Sequence, residues 1–230
     1  NGPPPVMIVL SLSDIAVRFV YSPAVRQRFP HVDFVLGCGD LPYSYQEYVI
    51  SVLDKPFFFV RGNHDKLVEY TVAGPRSYPN GAVDLHGKVI VHQKLILAGI
   101  EGCLRYREGP FQYTSHEMWL HVFRMVPRFL ANRMLFGRYL DLLVTHAPPR
   151  GIHDQEDKPH WGVPAFRWLI DVFQPAYHFH GHVHVYRPDT VTLTQVGRTQ
   201  VINTFGFRET ELDRLQVKAR SRRSQVNFQE

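Results

Sequence analysis

The sequence predicts an α/β fold in one large domain, and two observations support this prediction. Short apolar runs that are typical of buried strands alternate with segments of helical spacing along the first part of the chain, which is the pattern of βα units. The 230 residues are 44% hydrophobic and 13% aromatic, so the chain can bury a sizeable core. We expect the domain to span residues 1–210 and residues 211–230 to form a basic polar tail.

Five apolar runs predict strands that are buried within a sheet. They are residues 6–10, 32–36, 56–60, 139–144 and 176–180. The turn at Pro79-Asn80-Gly81 introduces a region that predicts further strands. These are a hairpin over residues 83–91, a strand over 95–99, and two short strands over 191–196 and 199–204.

Helices are predicted where apolar residues recur at three- and four-residue intervals. The longest covers residues 115–137 and places Met118, Val122 and Met125 on one apolar face. A helix that covers the sheet accounts for this face, while the basic outer face leaves a membrane-surface or partner role open. Shorter helices are expected at residues 23–29, 45–53 and 168–173.

Polar side chains follow the five buried runs, at the points where the predicted strands end. They are Asp14, Gly39-Asp40, Gly62-Asn63-His64-Asp65, His146 and Gly181-His182-Val183-His184. Because α/β sheets keep their chemistry at the carboxyl ends of the strands, we expect these side chains to gather at one end of the fold. Carboxylate and amide oxygens and imidazole nitrogens are ligands for divalent metals, and histidine also transfers protons near neutral pH.

In this order the clusters resemble the calcineurin-like metallophosphoesterases. The pattern of that family is Asp-x-His, Gly-Asp-x-x-Asp, Gly-Asn-His-Asp/Glu, a lone His, and then Gly-His-x-His. The resemblance extends over residues 6–204 and implies a four-layer αββα sandwich of two mixed β-sheets flanked by helices. The chain departs from the pattern at Ala16, where the first motif carries its histidine, and at Tyr43, where the second carries its last aspartate.

The resemblance also implies two metal sites that share one carboxylate. The first would consist of Asp40, Asn63, His146 and His182, and the second of Asp14, Asp40 and His184. The methyl group of Ala16 cannot donate to a metal, so we expect one tight site and one weaker site. Mixed nitrogen and oxygen ligands favour a divalent ion, with manganese as our expectation and iron, zinc, nickel and cobalt as alternatives.

The activity implied by the resemblance is hydrolysis of a phosphodiester or phosphomonoester, with a nucleotide-like substrate among the candidates. Attack by a metal-activated hydroxide is the expected mechanism. His64 matches the residue that protonates the leaving group, although Tyr43 supplies no charge to orient it. Arg61, Arg105 and Arg107 are candidates for contact with the substrate phosphate.

A second hypothesis is a non-catalytic scaffold or binding protein that keeps the fold and a weakened metal site. The retromer subunit with this fold is a precedent in the family, and both Ala16 and Tyr43 favour this reading. Turnover that depends on metal and on Asp40 would distinguish the two hypotheses.

Composition limits the partners and the compartment. The net charge of +5 would suit nucleic acid, but much of the excess lies in residues 218–223, so this partner is weakly supported; no protein partner is indicated. Two cysteines cannot form a disulfide framework, which favours a reducing compartment. The sequence contains no run of transmembrane length, and its first residues lack the features of a signal peptide, so we expect a cytoplasmic protein.

Overall fold

The computed structural model of the chain describes residues 6–72 and 74–213. The strands of the first half are β1 (Met7–Ser13), β2 (Phe34–Cys38), β3 (Phe57–Val60), β4 (Glu69–Thr71), β5 (Gly74–Arg76), β6 (Ala82–Asp84), β7 (Val89–His92) and β8 (Leu95–Ile100). Those of the second half are β9 (Cys103–Leu104), β10 (Gln112–Tyr113), β11 (Leu142–Thr145), β12 (Tyr177–His180), β13 (Leu193–Val196), β14 (Thr199–Asn203) and β15 (Gly206–Leu212). The helices are α1 (Ala24–Arg28), α2 (Tyr43–Leu53), α3 (Ser115–Phe136) and α4 (Pro164–Phe173), with a 3₁₀ helix at Lys158–His160.

Two mixed sheets form the centre of the fold. The first has the strand order β15-β1-β2-β3-β6, in which β15 is antiparallel to β1 and the other neighbours are parallel. The second has the order β13-β14-β12-β11-β8-β7, with antiparallel pairs only at its two edges. Two short ribbons, β4-β5 and β9-β10, lie outside these sheets.

Three apolar clusters build the layers. The cluster between the sheets joins residues such as Leu36 and Val60 of the first sheet to Val144 and Phe179 of the second. A second cluster packs α3 and α4 on the outer face of the second sheet, and a third packs α1 and α2 on the outer face of the first. Each strand of the parallel core is buried on both faces, which is why it reads as a continuous apolar run. The predicted four-layer αββα sandwich is confirmed.

The last strand, β15, is absent from the sequence prediction. Its side chains alternate between exposed and less exposed, and the central ones are polar or charged, as is usual for an edge strand. It pairs with β1 along its full length, from Ser13 opposite Gly206 to Met7 opposite Leu212. The boundary after residue 210 therefore falls inside a strand, and residues 214–230 of the predicted tail lie outside the described residues.

Smaller differences between the structure and the sequence prediction concern the residues at which helices begin. α4 begins at Pro164 rather than near residue 168, because proline suits the first turn of a helix, where its missing N–H has no partner to lose. α3 is capped by Thr114, whose side chain accepts the N–H of Glu117 while the Glu117 carboxylate accepts the N–H of Thr114. Within the described ranges, no helix is long and apolar enough to cross a membrane.

Candidate metal centre

The loops that leave the carboxyl ends of parallel strands carry the predicted site residues. Three loops of the first sheet supply Asp14, Asp40 and Asn63, and two loops of the second sheet supply His146, His182 and His184. The two sheets pack face to face, and side chains from both of them meet at this end of the fold. The arrangement places chemistry-bearing residues where open α/β sheets bind their ligands.

Three side chains direct a metal-binding atom toward His146. The Nε2 atom of His146 lies 3.0 Å from Oδ1 of Asn63, 3.3 Å from Oδ2 of Asp40 and 3.1 Å from Nδ1 of His182. Among the described carboxylate, cysteine and histidine side chains, Asp40, His146 and His182 form a group whose ligand atoms all lie within 4.8 Å of one another. All four side chains are almost fully buried.

Backbone carbonyls orient the two histidine rings. Nδ1 of His146 donates to the carbonyl oxygen of Cys38 at 2.8 Å, and Nε2 of His182 donates to the carbonyl oxygen of Pro159 at 2.6 Å. Each bond places the proton on the nitrogen that faces away from the cluster, so the other nitrogen can present a lone pair. Histidines that bind metals are held by such partners.

The two oxygen ligands are oriented in the same way. Nδ2 of Asn63 donates to the hydroxyl of Tyr106 at 3.2 Å, which turns Oδ1 toward His146. Oδ1 of Asp40 accepts the backbone N–H of His64 at 2.7 Å, which leaves Oδ2 for the cluster. Every member of the cluster therefore has its outer polar atom bound by protein and its inner atom directed to one place.

A divalent cation fits this arrangement. When His146 is neutral, no proton stands between its Nε2 and Nδ1 of His182, so the two lone pairs need a positive centre between them. The separations of 3.0, 3.1 and 3.3 Å from Nε2 of His146 bring the four donor atoms close enough to share one cation. Asp40, Asn63, His146 and His182 are therefore the residues that could hold one divalent ion.

Burial and the neighbouring charges shift the pKa values of Asp40 and His146 in opposite directions. Burial raises the pKa of Asp40, but the neighbouring His146 more than offsets it and the net shift is downward. Burial lowers the pKa of His146, and Asp40 reverses that shift so that the ring holds a proton more strongly. Burial, with His146 as neighbour, lowers the pKa of His182 to about 3. An ion that binds here competes with the proton that Asp40 stabilises on His146.

Three site residues have strained backbone conformations. Asp14, Asp40 and His182 have φ angles of 67°, 56° and 69°, in the left-handed region that side chains other than glycine rarely adopt. Such conformations cost on the order of 1–3 kcal/mol each and persist only where the surroundings enforce them. The strain therefore marks these loops as shaped for a site.

Asp65 enforces part of this geometry by joining the loops after β2 and β3. Its buried carboxylate accepts the backbone N–H groups of Gly62 at 2.7 Å and of Asp40 and Leu41 at 3.1 Å each. Gly62 permits the close approach, since a Cβ atom there would overlap Oδ1 of Asp40. Burial, together with the charge of Asp40, raises the pKa of Asp65 to about 7. Asp65 belongs to the motif Gly62-Asn63-His64-Asp65, but the motif alone does not indicate this role.

Asp14 and His184 form the second, less complete half of the site. The Asp14 carboxylate accepts the backbone N–H of His182 at 3.0 and 3.1 Å and the hydroxyl of Ser13 at 2.5 Å. Nε2 of His184 lies 3.8 Å from Oδ1 of Asp14, and its Nδ1 contacts the hydroxyl of Tyr186 at 2.7 Å. The His184 side chain is 39% exposed. Ala16 is exposed and offers no donor atom, so this half has fewer ligands than the first.

His64 lies beside the cluster and is exposed to solvent. Its Nδ1 is 3.5 Å from a terminal nitrogen of the exposed Arg107 side chain. Tyr43 does not orient this ring, contrary to the possibility left open by the sequence, because its buried hydroxyl contacts the carbonyls of Lys66 at 2.7 Å and Ser77 at 3.0 Å. Tyr43 therefore has a structural role in the loop that follows the site.

The other two candidate arginines are occupied elsewhere. Nε of Arg61 donates to Glu101 at 2.8 Å, a second nitrogen lies 3.4 Å from Asp84, and the guanidinium packs 4.6 Å from the ring centre of Phe111. This arginine joins the ends of β3 and β8, so it has no free face for a substrate. Arg105 donates to the backbone of Gln112 and to Glu117 at the start of α3. Of the three arginines predicted to contact a phosphate, Arg107 is the one placed next to His64.

The loop before α4 contributes a main-chain contact that the sequence does not reveal. The carbonyl of Pro159 binds His182, and the His160 ring lies 5.4 Å from the His182 ring. Tyr106 and the carbonyl of Cys38 hold two other ligands. A backbone carbonyl has no sequence signature of its own, and Tyr106, which lies between two arginines in a loop, matches no ligand motif.

Comparison with known proteins agrees with this geometry. The family model of calcineurin-like phosphoesterases matches residues 7–186. UPF0046 protein K07C11.7 of Caenorhabditis elegans is 43% identical over 44 residues, which cover 19% of this chain and 15% of that protein. The chain thus aligns with a small part of the length of that relative.

Solved structures show the same fold at low identity. One crystal structure matches with a TM-score of 0.62 and 15% identity over 91% of this chain and 96% of its own. The protein TT1561 of Thermus thermophilus matches with a TM-score of 0.56 and 14% identity over 88% of this chain and 90% of its own. Since the family model covers most of the chain and the ligand motifs assemble at the strand ends, this protein belongs to the calcineurin-like phosphoesterase family.

Proposed function

We propose that this protein is a metal-dependent phosphoesterase that hydrolyses a phosphodiester or a phosphomonoester. The observation that carries the proposal is the convergence on Nε2 of His146, where Asn63, Asp40 and His182 each present a ligand atom within 3.3 Å. A protein that uses this fold only as a binding scaffold does not need a hydrogen bond to orient each metal-binding side chain. A phosphoesterase needs these hydrogen bonds, because its ion must stay bound while substrate and product exchange.

The residues have separate tasks in this proposal. Asp40, Asn63, His146 and His182 hold one divalent ion, for which we propose manganese, and Asp14 and His184 contribute to a weaker second site next to it. When bound, such ions supply Lewis acidity to the phosphoryl oxygens and lower the pKa of bound water toward 7.

His64 and Arg107 would act on the substrate directly. His64 is exposed, so its ring can reach a leaving-group oxygen and donate a proton to it. Arg107, whose guanidinium lies 3.5 Å from that ring, can hold an unesterified phosphate oxygen. Because both side chains are open to solvent, a substrate can enter without moving the buried ligands.

The scaffold hypothesis remains the second candidate, and Ala16 is the observation that favours it. With no donor at this position, the half of the site formed by Asp14 and His184 is open and partly exposed. A protein that uses this surface for binding would keep the first ion for stability and would have no turnover.

A direct assay separates the two candidates. Bis-(p-nitrophenyl) phosphate and p-nitrophenyl phosphate are incubated with the protein and added manganese, and release of nitrophenolate is followed. Turnover should appear, should stop with chelator, and should be lost in Asp40→Ala. Asp171→Ala is the matched control, since this exposed carboxylate pairs with Arg167 on α4. Turnover that survives Asp40→Ala would reject the proposed site, and no turnover in any protein would favour the scaffold.

We also propose a cytoplasmic location. The structure has two free cysteines, Cys38 and Cys103, and both are buried. Burial raises the pKa of each thiol to about 12, which keeps it unreactive. Reduced, buried thiols are typical of proteins of reducing compartments.

A further inference from the structure

A groove opens beside the candidate metal centre and is not part of it. It has a volume of about 370 Å³ and lies where the loop after β12 meets the strands β14 and β15. Its lining residues are Val185, Thr192, Asn203, Phe205, Phe207 and Arg208. This volume is at the lower end of the range for small-molecule sites, so it suits one ring system rather than a polymer.

The groove is continuous with the second half of the metal centre. The ring of Phe205 packs on the ring of His184, with centres 4.8 Å apart and an angle of 35° between the planes. Asn203 fixes the junction, because its Nδ2 donates to the carbonyl of Val183 at 2.8 Å and its Oδ1 accepts the N–H of Phe205 at 2.9 Å. A substrate held at the metals would therefore have the groove next to it.

Arg208 gives the groove a positive charge that no carboxylate of the described residues compensates. Its guanidinium is half-buried and contacts Thr192, with 3.1 Å to the hydroxyl and 3.5 Å to the carbonyl. No carboxylate of residues 6–72 or 74–213 forms an ion pair with it. Burial lowers the pKa of Arg208, because it removes water from around the charged guanidinium. An oxygen acceptor on a ligand would supply that partner.

Two of the remaining lining residues, Phe205 and Phe207, are aromatic. Phe207 is 39% exposed, and Tyr186, which is 79% exposed, packs against the Phe205 ring at 5.7 Å. Aromatic rings that are open to solvent bind planar ligands by stacking, and each ring contributes large apolar contact area. A flexible alkyl chain would leave Arg208 without a suitable contact.

We propose that this groove binds a planar aromatic substituent of the substrate, a nucleobase or an aryl group, and that Arg208 binds an oxygen acceptor on that ring. This inference rests on the proposed function for its substrate and selects, within the phosphoesters, those that carry such a group. Phe205 and Phe207 provide the stacking surface, and Arg208 favours rings with carbonyl or anionic oxygens. Thymine and uracil have the required carbonyl oxygens.

The test compares two phosphodiesters with the same leaving group. Thymidine 5′-(p-nitrophenyl phosphate) carries a base, and methyl p-nitrophenyl phosphate does not, so the chemical step is matched. We expect a kcat/KM ratio of about 10 or more in favour of the thymidine ester, the scale of one stacked base. Phe207→Ala and Arg208→Gln should each lower this ratio and leave turnover of the methyl ester unchanged. Arg198→Gln, at an exposed arginine of the β13–β14 turn, is the matched control and should keep the ratio.

A binding measurement separates failure of this inference from failure of the proposed function. Calorimetry compares thymidine 5′-monophosphate with inorganic phosphate, and thermal unfolding checks that each variant is folded. The nucleotide should bind about tenfold more tightly than phosphate, and Arg208→Gln should reduce the difference. Absent turnover with this preference intact would reject the phosphoesterase and keep the groove. Turnover with equal kcat/KM for both esters, or nucleotide and phosphate binding of equal strength, would overturn the groove.

Discussion

The two halves of the metal centre differ in how completely the protein prepares them. In the first half, every ligand has its outer atom bound by protein, and three ligand atoms lie within 3.3 Å of Nε2 of His146. In the second half, Asp14 and His184 stand 3.8 Å apart, the histidine is 39% exposed, and Ala16 supplies no donor. Both halves lie at the carboxyl ends of strands of the two sheets.

From this difference we expect the hydrogen bonds that orient the ligands, more than their positions in the fold, to decide how tightly each half holds an ion. Asp14 is as strained as Asp40, with φ angles of 67° and 56°, so the backbone keeps the shape of a second site. The carboxylate of Asp14 accepts hydrogen bonds from Ser13 and His182, which hold it whether or not an ion is bound. We therefore expect the first half to dominate metal retention and the second to adjust activity.

The largest expected effect comes from removing the shared carboxylate. Asp40→Ala should lower kcat/KM by at least about 10³-fold, because Lewis-acid stabilisation contributes several kcal/mol and each 1.36 kcal/mol is tenfold. It should also remove the tightly held ion, as read by metal analysis. Asp14→Ala is the matched variant and should keep that ion while it lowers activity less. Equal losses in the two variants would contradict the distinction between the halves.

The next largest effect concerns His64, which lies outside both halves. His64→Ala should lower turnover by about 10²-fold on esters with poor leaving groups and much less on nitrophenyl esters, since nitrophenolate departs without a proton. Steady-state kinetics on one substrate of each type measures this. Arg107→Ala serves as the companion variant, because loss of a phosphate contact should raise KM on both substrates alike. Equal losses of turnover on both substrates in His64→Ala would remove it from the acid role.

A smaller effect concerns His178 of β12 and His153 of the loop after β11, which are not among the candidate ligands. The ring of His178 bonds to Thr145 at 2.8 Å, while its other nitrogen is buried and has no hydrogen-bond partner among the described residues. Burial lowers its pKa to about 3, and burial likewise lowers that of His153 to about 4. Both rings stay neutral in the folded protein at pH values where the unfolded chain takes up protons.

Because both rings are neutral in the folded protein, the free energy of unfolding should fall at low pH. Stability is complete above the unfolded pKa of about 6.5 and is lost as pH falls from there toward the folded values. Each group should contribute a slope that approaches about 1.4 kcal/mol per pH unit, or tenfold in the unfolding equilibrium. Urea unfolding at pH 7.5 and 5.5 measures the loss, and His178→Gln, whose amide can still donate to Thr145, should reduce it. An unchanged slope in that variant would show that His178 is not the responsible group.

The gathering of the candidate ligands at one end of the fold could be predicted from the sequence, because it depends on which residues directly follow each apolar run. Polar residues such as Asp40 and His146 directly follow apolar runs, and runs of that kind become parallel strands whose carboxyl ends share one edge. The αββα layers also followed, since the family motifs cover most of the chain. Motif order and strand ends were sufficient for both.

The remaining features could not be predicted because they depend on contacts between distant segments. The partner of His182 is the carbonyl of Pro159, and every residue has a carbonyl. The sequence does not show the partners of Arg61, because Asp84 reaches its guanidinium only when β6 pairs with β3 and Glu101 only when the two sheets pack. The edge strand β15 was not predicted, because the polar and charged side chains at its centre obscure the alternation of apolar and polar residues that marks a strand.

Metal content is the most direct test of the central claim that one half of the centre is prepared and the other is not. The purified protein, dialysed against metal-free buffer, should retain nearer one ion per chain than two by mass spectrometry. Ala16→His restores a donor to the second half, so its affinity should rise at least about tenfold and the retained content should move toward two. Two tightly held ions in the unmodified protein, or none, would contradict the claim.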